Sequence, residues 1–131
     1  MILITDEQRT ALRANADMRA PDPCPVIKLF NPAGPATWLA TELGADGDTL
    51  FGLADLGFGC PELGFFSLGE IGRLRLPFGL SIERDRAFAT PFPLSVWADQ
   101  ARQSGSILAA EAELAARALI PPDPELPPDG G

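Results

Sequence analysis

The segment TWLATELGADGDTLFGLADL, Thr37 to Leu56, decides the fold. Two runs rich in β-branched, aromatic and aliphatic residues flank Asp46-Gly47, a dipeptide favoured in two-residue type I′ turns because both positions need positive φ. The pattern predicts a β-hairpin in which Ala45 pairs with Asp48, Leu43 faces Leu50 and Thr41 faces Gly52. Alternation along a regular ladder then gathers Leu39, Leu43, Leu50, Ala54 and Leu56 on one apolar face, aimed at a core. Trp38, Glu42, Phe51, Leu53 and Asp55 fall on the other face, which mixes large apolar groups with two acids.

Working outward, VIKLF (residues 26–30) has strand composition and is stopped by NPAGP. Upstream, Thr5 and Gln8 form the signature of a capping box, and a short helix is expected from Thr5 to Met18. Downstream, PELGFFSLGEI (residues 61–71) places a short extended piece at Phe65-Phe66 before a second capping signature, Ser67-x-x-Glu70. The hydroxyl and the second carboxylate of that stretch are accounted for as helix caps; Glu62 is not. A strand is expected from Ile82 to Phe88, although regular alternation would put Arg84 and Arg86 on the same face as Ile82 and Phe88. LSVWADQARQ reads as a helix broken by Gly105, and SILAAEAELAARALI as a strong one. Its apolar stripe comprises Ile107, Leu108, Ala112, Leu114, Ala115, Ala118 and Leu119. The closing PPDPELPPDGG has little to bury and is expected to be disordered.

The fold class is therefore α+β: a small antiparallel sheet with flanking helices, followed by a C-terminal alanine-rich helix. A chain of 131 residues is long enough for one real core. No apolar run approaches the roughly 18 residues of a membrane span, and the acidic start after MILIT lacks the basic, longer pattern of a secretory leader. A cytoplasmic protein without membrane association is expected.

The residue inventory removes several chemistries. With no histidine, Ser-His-Asp and Cys-His nucleophilic sites and most zinc and iron ligand sets are excluded, and with no tyrosine there is no phenolic acid. Cys24 and Cys60 are far apart and outside any C-x-x-C pair; reduced thiols are expected ahead of a bridge between them. Asp46-Gly47-Asp48 lacks the ligand series and distal Glu of a calcium loop, and no glycine-rich phosphate loop is present. No metal or cofactor is expected. A carboxylate enzyme is the one catalytic class with material, from Glu42, Asp55, Glu62, Glu83 and Asp85, but no spacing singles out a pair.

Charge is uneven. The net charge is −8, from 18 acids and 10 bases, which disfavours direct binding of nucleic acid. Between Lys28 and Arg73 there is no base at all, while Glu42, Asp46, Asp48, Asp55, Glu62 and Glu70 all lie in that interval. Aromatic anchors ringed by carboxylates suit a protein-binding patch, in which apolar area supplies affinity and charge supplies steering. Trp38, Glu42, Phe51, Asp55 and Glu62 are the candidate partner-binding residues. Glu83, Arg84 and Asp85 are expected to form a structural ion-pair cluster.

The segments TWLATEL, TLFGLADLG, ELGFFSLGEI, GLSIERDRAF and PFPLS, in that order, resemble domain of unknown function 2958, a small bacterial family common on plasmids and other mobile elements. The resemblance covers about residues 1–97 and departs after Leu94-Ser95, so a family-like domain at 1–97, a helical extension at 98–120 and a tail at 121–131 are expected. The family has no established reaction. What the resemblance implies is context, a cargo gene of mobile DNA, where small acidic proteins often look like inhibitors of restriction or CRISPR. The expected function is a non-catalytic accessory protein that binds a protein partner, in its sharper form a nucleic-acid-binding host defence protein. The alternatives are a small carboxylate hydrolase, or a homodimeric module joined through residues 106–120.

Overall fold

A single extra residue in the second strand sets the layering of the molecule. The computed structural model describes residues 3–119. In chain order these form α1 (Asp6–Met18), β1 (Ile27–Phe30), β2 (Thr37–Leu43), β3 (Thr49–Asp55), β4 (Glu62–Ser67), α2 (Leu68–Gly72), a 3-10 turn (Pro77–Gly79), β5 (Glu83–Arg84), α3 (Leu94–Ser104) and α4 (Ile107–Leu119). The strands make one antiparallel sheet in the order β4-β3-β2-β1-β5, so the α+β class expected above is the class observed.

The β2–β3 register shifts between Ala40 and Glu42, leaving Thr41 as a bulge. Leu43 pairs with Leu50 as expected, but Gly52 faces Ala40 rather than Thr41. The bulge has clear physical causes. The carbonyl it frees accepts from Asn15 Nδ2 of α1 at 2.9 Å, and the Thr41 hydroxyl donates to the Phe51 carbonyl at 3.3 Å. The freed carbonyl is therefore not left without a donor. Gly52 is obligatory opposite it, since a Cβ there would lie 1.8 Å from the Leu39 carbonyl oxygen.

Because a bulge exchanges the faces of every residue beyond it, the expected grouping of side chains is corrected. Trp38, Ala40, Leu43 and Leu50 share one core with Leu12 of α1, Leu68 and Ile71 of α2, Ile27, Leu29 and Ile82. Leu39 and Leu53 face the other way and pack against Leu94, Trp97, Ala98, Ala101, Ile107, Ala110 and Leu114 of α3 and α4. The sheet is thus covered on both faces over its centre. Leu56, expected in the core, is exposed.

The tip of the hairpin also differs from expectation. Pairing closes at Gly44 N–H to Thr49 C=O (2.8 Å), so the loop is Ala45–Asp48 rather than the two residues Asp46-Gly47. Gly47 N–H returns to Gly44 C=O at 3.0 Å with Gly47 at φ 71°. The longer loop is favoured because Asp46 accepts the N–H groups of both Asp48 and Thr49 at 2.9 Å and the Thr49 hydroxyl at 2.6 Å.

At the N-terminus the capping box is complete, with Gln8 N–H donating to Thr5 Oγ1 and Thr5 N–H donating to Gln8 Oε1. The strand expected from Ile82 to Phe88 shrinks to β5, because Asp85 turns the chain by accepting Ala87 N–H at 3.0 Å. That turn removes the conflict of placing both arginines beside Ile82. The expected boundary between residues 97 and 98 is absent: α3 runs through it and buries Leu94, Trp97, Ala98 and Ala101 in one core. In α4 the buried residues are Ile107, Ala110 and Leu114, whereas Leu108, Ala112, Ala115, Ala118 and Leu119 of the expected stripe are exposed. Cys24 is half-buried and Cys60 exposed, both as free thiols. The tail expected at 121–131 lies outside the described residues.

Candidate functional site

Of the five residues expected to form one interaction face, the bulge turns Trp38 to the opposite side of the sheet and α4 covers Asp55. Trp38 is buried in the α1 core, with 6% of its surface exposed. Asp55 is 1% exposed and fixed by two bonds. Its Oδ2 accepts the N–H of Ile107, the first residue of α4, and its Oδ1 accepts Gly57 N–H, both at 2.9 Å. Neither residue is available to a partner; Asp55 is a helix cap supplied from the sheet.

Glu42, Phe51 and Glu62 remain at the surface or half-buried, and β4 supplies what the expectation lacked. The ladder aligns Glu42 on β2, Phe51 on β3 and Phe65 on β4 in one cross-strand row on the α3 side of the sheet. The Phe51 and Phe65 ring centroids lie 5.1 Å apart with their planes inclined at 59°, a favourable tilted pair. Phe66, the next residue, points to the other face and packs on the α1 core. Phe65, on the α3 side, is 75% exposed. Leu63 (42%), Leu56 (56%) and Phe58 (82%) extend the apolar surface along β4 and the loop that leads into it. Glu62 is exposed at the start of the strand.

β4 is also an edge. It spans six residues and, among the described residues, pairs with β3 alone, whereas the opposite edge, β5, has two residues. At the inner end of the aromatic row, a hollow of about 200 Å³ is lined by Pro21, Asp22, Glu42, Phe51, Leu63 and Leu94, among others. Asp22 there accepts the Ser95 N–H and hydroxyl at the start of α3. Among the described residues, Glu42 makes no hydrogen bond or ion pair.

The acids of the base-free interval divide into two groups. Asp46, Asp48 and Asp55 are engaged internally; among the described residues, Glu42, Glu62 and Glu70 have no side-chain hydrogen bond or ion pair. The Thr49 hydroxyl, backed by the Thr49 and Asp48 N–H groups, lowers the Asp46 carboxyl from 3.8 to about 2. Asp48 is lowered by the Ser67 hydroxyl (2.7 Å) and the Gly69 N–H (2.8 Å), which fasten the hairpin tip to α2. The Ser67 hydroxyl oxygen in turn accepts Glu70 N–H at 3.1 Å, so the hydroxyl half of the cap expected from PELGFFSLGEI is present, whereas among the described residues the Glu70 carboxylate makes no capping bond.

The ion-pair cluster expected at Glu83, Arg84 and Asp85 has other members. Lys28, buried on β1, donates to both oxygens of Glu111 on α4 at 2.7 and 2.9 Å and lies 3.4 Å from Asp85. Arg84 instead donates to the Leu3 carbonyl at 3.0 Å, and Glu83 is exposed without an ion pair among the described residues. Asp85 and Glu111 line a groove of about 390 Å³ with Phe88, Phe92 and Trp97. A nucleophile or acid there would first have to release Lys28, so the groove reads as the seam between sheet and α4. Among the described residues no three His, Cys, Asp or Glu side chains gather as a metal site, and no helix is long and apolar enough to cross a membrane.

No curated protein and no solved structure matches the chain. The family model described as Protein of unknown function (DUF2958) matches residues 3–108, which takes in α1, all five strands, α2, α3 and the first residues of α4. The match runs past the expected departure at Leu94-Ser95 and includes the capping contact between Asp55 and Ile107. The chain belongs to the DUF2958 family of proteins of unknown function.

Proposed function

We propose that the protein is a non-catalytic, partner-binding accessory of a mobile element, and that its β4 edge receives an extended segment of another protein. One observation carries this reading: a six-residue edge strand with no second partner strand among the described residues, and Phe65 three-quarters exposed at its centre. Open edges present unpaired N–H and C=O groups, and proteins ordinarily shorten, charge or cover them. The two-residue β5 edge follows that rule and β4 does not. Strand addition draws affinity from main-chain hydrogen bonds and specificity from alternate side chains, which Leu63 and Phe65 offer on one face. In its sharper form the partner is a nucleic-acid-binding protein of a host defence system, a reading supported by the acidic character of the base-free interval.

Selection of short linear peptides on the immobilised protein tests the edge directly. Wild type should enrich binders that slow amide exchange in β4, and a Leu63→Lys/Phe65→Lys variant with an unchanged melting temperature should lose them. Binders that protect another surface, or that bind the variant equally, would overturn the assignment. For the sharper form, co-expression with a restriction or CRISPR nuclease should restore phage plating for wild type and not for the variant.

A second reading has its own observation. Leu108 (44%) and Leu119 (81%) are exposed on α4, which favours a homodimer through that helix. Light scattering of a Leu108→Glu/Leu119→Glu variant beside wild type separates the two: a dimer through α4 should become monomeric.

A further inference from the structure

We infer that the β4 edge selects a partner strand carrying an arginine opposite Phe65, whose guanidinium lies along the Phe65–Phe51 row and ends against Glu42. The inference rests on the strand-addition reading and adds its specificity. Glu42, Phe51 and Phe65 are successive cross-strand neighbours, so they form a straight row from the sheet interior to its open edge. Strand spacing of about 4.8 Å puts an added strand roughly 14 Å from β2. A long cationic side chain reaching inward from the new strand and the Glu42 side chain reaching outward close that gap over the two rings. Their faces attract a cation, and a planar guanidinium stacks on them better than an ammonium does.

Charge singles out the same end of the row. The hollow beside Glu42 is lined by Asp22, Glu42 and apolar groups, and no lysine or arginine lines it. β2, β3 and β4 themselves contain no base, since none occurs between Lys28 and Arg73. Asp22 is engaged by Ser95 at the start of α3, which leaves Glu42 as the carboxylate without a partner among the described residues. A half-buried, unpaired carboxylate at the end of an aromatic row is arranged to pair with a cation from outside.

The test uses the full-length protein and a library of short linear peptides, selected in parallel on wild type and on Glu42→Gln. Wild type should return β4-protecting peptides with arginine at a fixed position relative to their apolar residues, and Glu42→Gln should return peptides without that enrichment. For one selected peptide, arginine-to-glutamine replacement should weaken binding to wild type about tenfold but binding to Glu42→Gln less than about twofold, a coupling that a merely structural Glu42 would not give. Peptides that protect β4 with no preference for arginine would overturn this inference and leave the edge reading intact. Failure to obtain any peptide that protects β4 would overturn both.

Discussion

Replacing Asp55 should destabilise the protein rather than weaken recognition of a partner, and the amount follows from its two bonds. The carboxylate is 1% exposed and accepts the buried Ile107 N–H and the Gly57 N–H. In Asp55→Ala the Ile107 N–H loses its acceptor where water does not reach, at a cost of about 1–3 kcal/mol. Gly57 is exposed, so water replaces the second bond at a cost of a few tenths. The sum, about 1–3 kcal/mol, is a large share of the 5–15 kcal/mol typical of a domain. With a urea m-value of about 2 kcal/mol/M the unfolding midpoint should fall by roughly 0.5–1.5 M. Asp55→Asn keeps one acceptor and should fall between the two. Amide exchange should accelerate first in α4, whose first turn is released. Glu62→Ala, at an exposed site, should change stability by less than about 0.5 kcal/mol. An Asp55→Ala midpoint within error of wild type would refute the reasoning: Ile107 would then have another acceptor, and Asp55 would return to the list of surface groups.

Three further outcomes are expected. Gly52→Ala places a Cβ 1.8 Å from the Leu39 carbonyl oxygen and so should cost more than about 3 kcal/mol; near-normal stability in calorimetry would mean that the bulge is not as described. Because the Asp46 carboxyl is lowered from 3.8 to about 2 in the folded state, its contribution is complete above about pH 4 and is lost as pH falls toward 2. Urea titrations across that interval should show a shallower loss for Asp46→Ala than for wild type, and identical slopes would contradict the assignment. Glu111→Ala leaves the buried Lys28 ammonium with only Asp85, so it should lower the melting temperature more than Lys28→Met, which removes the charge altogether; the reverse order would show that Lys28 is solvated.

The hairpin was legible because strand composition on both sides of Asp46-Gly47 leaves few alternatives. Its faces were not, because a bulge depends on side chains from elsewhere, here Asn15 taking the Thr41 carbonyl. The glycine at position 52 inside an otherwise apolar strand was the available signal, since a strand glycine often marks a bulge or a close backbone approach. Asp55 reads as a surface acid at a strand end, and nothing local reveals that its acceptor is required by an N–H 52 residues later. The α4 stripe was drawn too wide because alanine sits equally well on a buried or an exposed face. The α4 residues buried against α3 and the sheet are Ile107, Ala110 and Leu114. At β4, Phe65-Phe66 announces one aromatic for each face. Which of them stays uncovered depends on where α3 docks, and the local sequence contains no record of that. Charge and aromatic content point to Glu42, Phe51 and Glu62 in the sequence; the exposure of Phe58 and Phe65 is not legible there, because an exposed aromatic looks the same in sequence as a buried one.

The sheet order carries a consequence for how the chain folds. β2, β3 and β4 form a meander of immediate neighbours, pinned at the Asp46–Asp48 tip to the start of α2, so their contacts close short loops. The α3–α4 layer is attached by pairings that span long stretches, Asp55 to Ile107 and Lys28 to Glu111. Loop-closure entropy favours assembling the meander early and adding α3 and α4 late. Substitutions at the tip should therefore slow folding, and substitutions at Ile107 or Leu114 should mainly speed unfolding, giving high and low φ-values respectively. Uniform φ-values in both regions would contradict that order. If the order holds, the helical layer can open as a unit while the α1 core stays intact, and Leu39 and Leu53 would be the first interior residues to meet solvent.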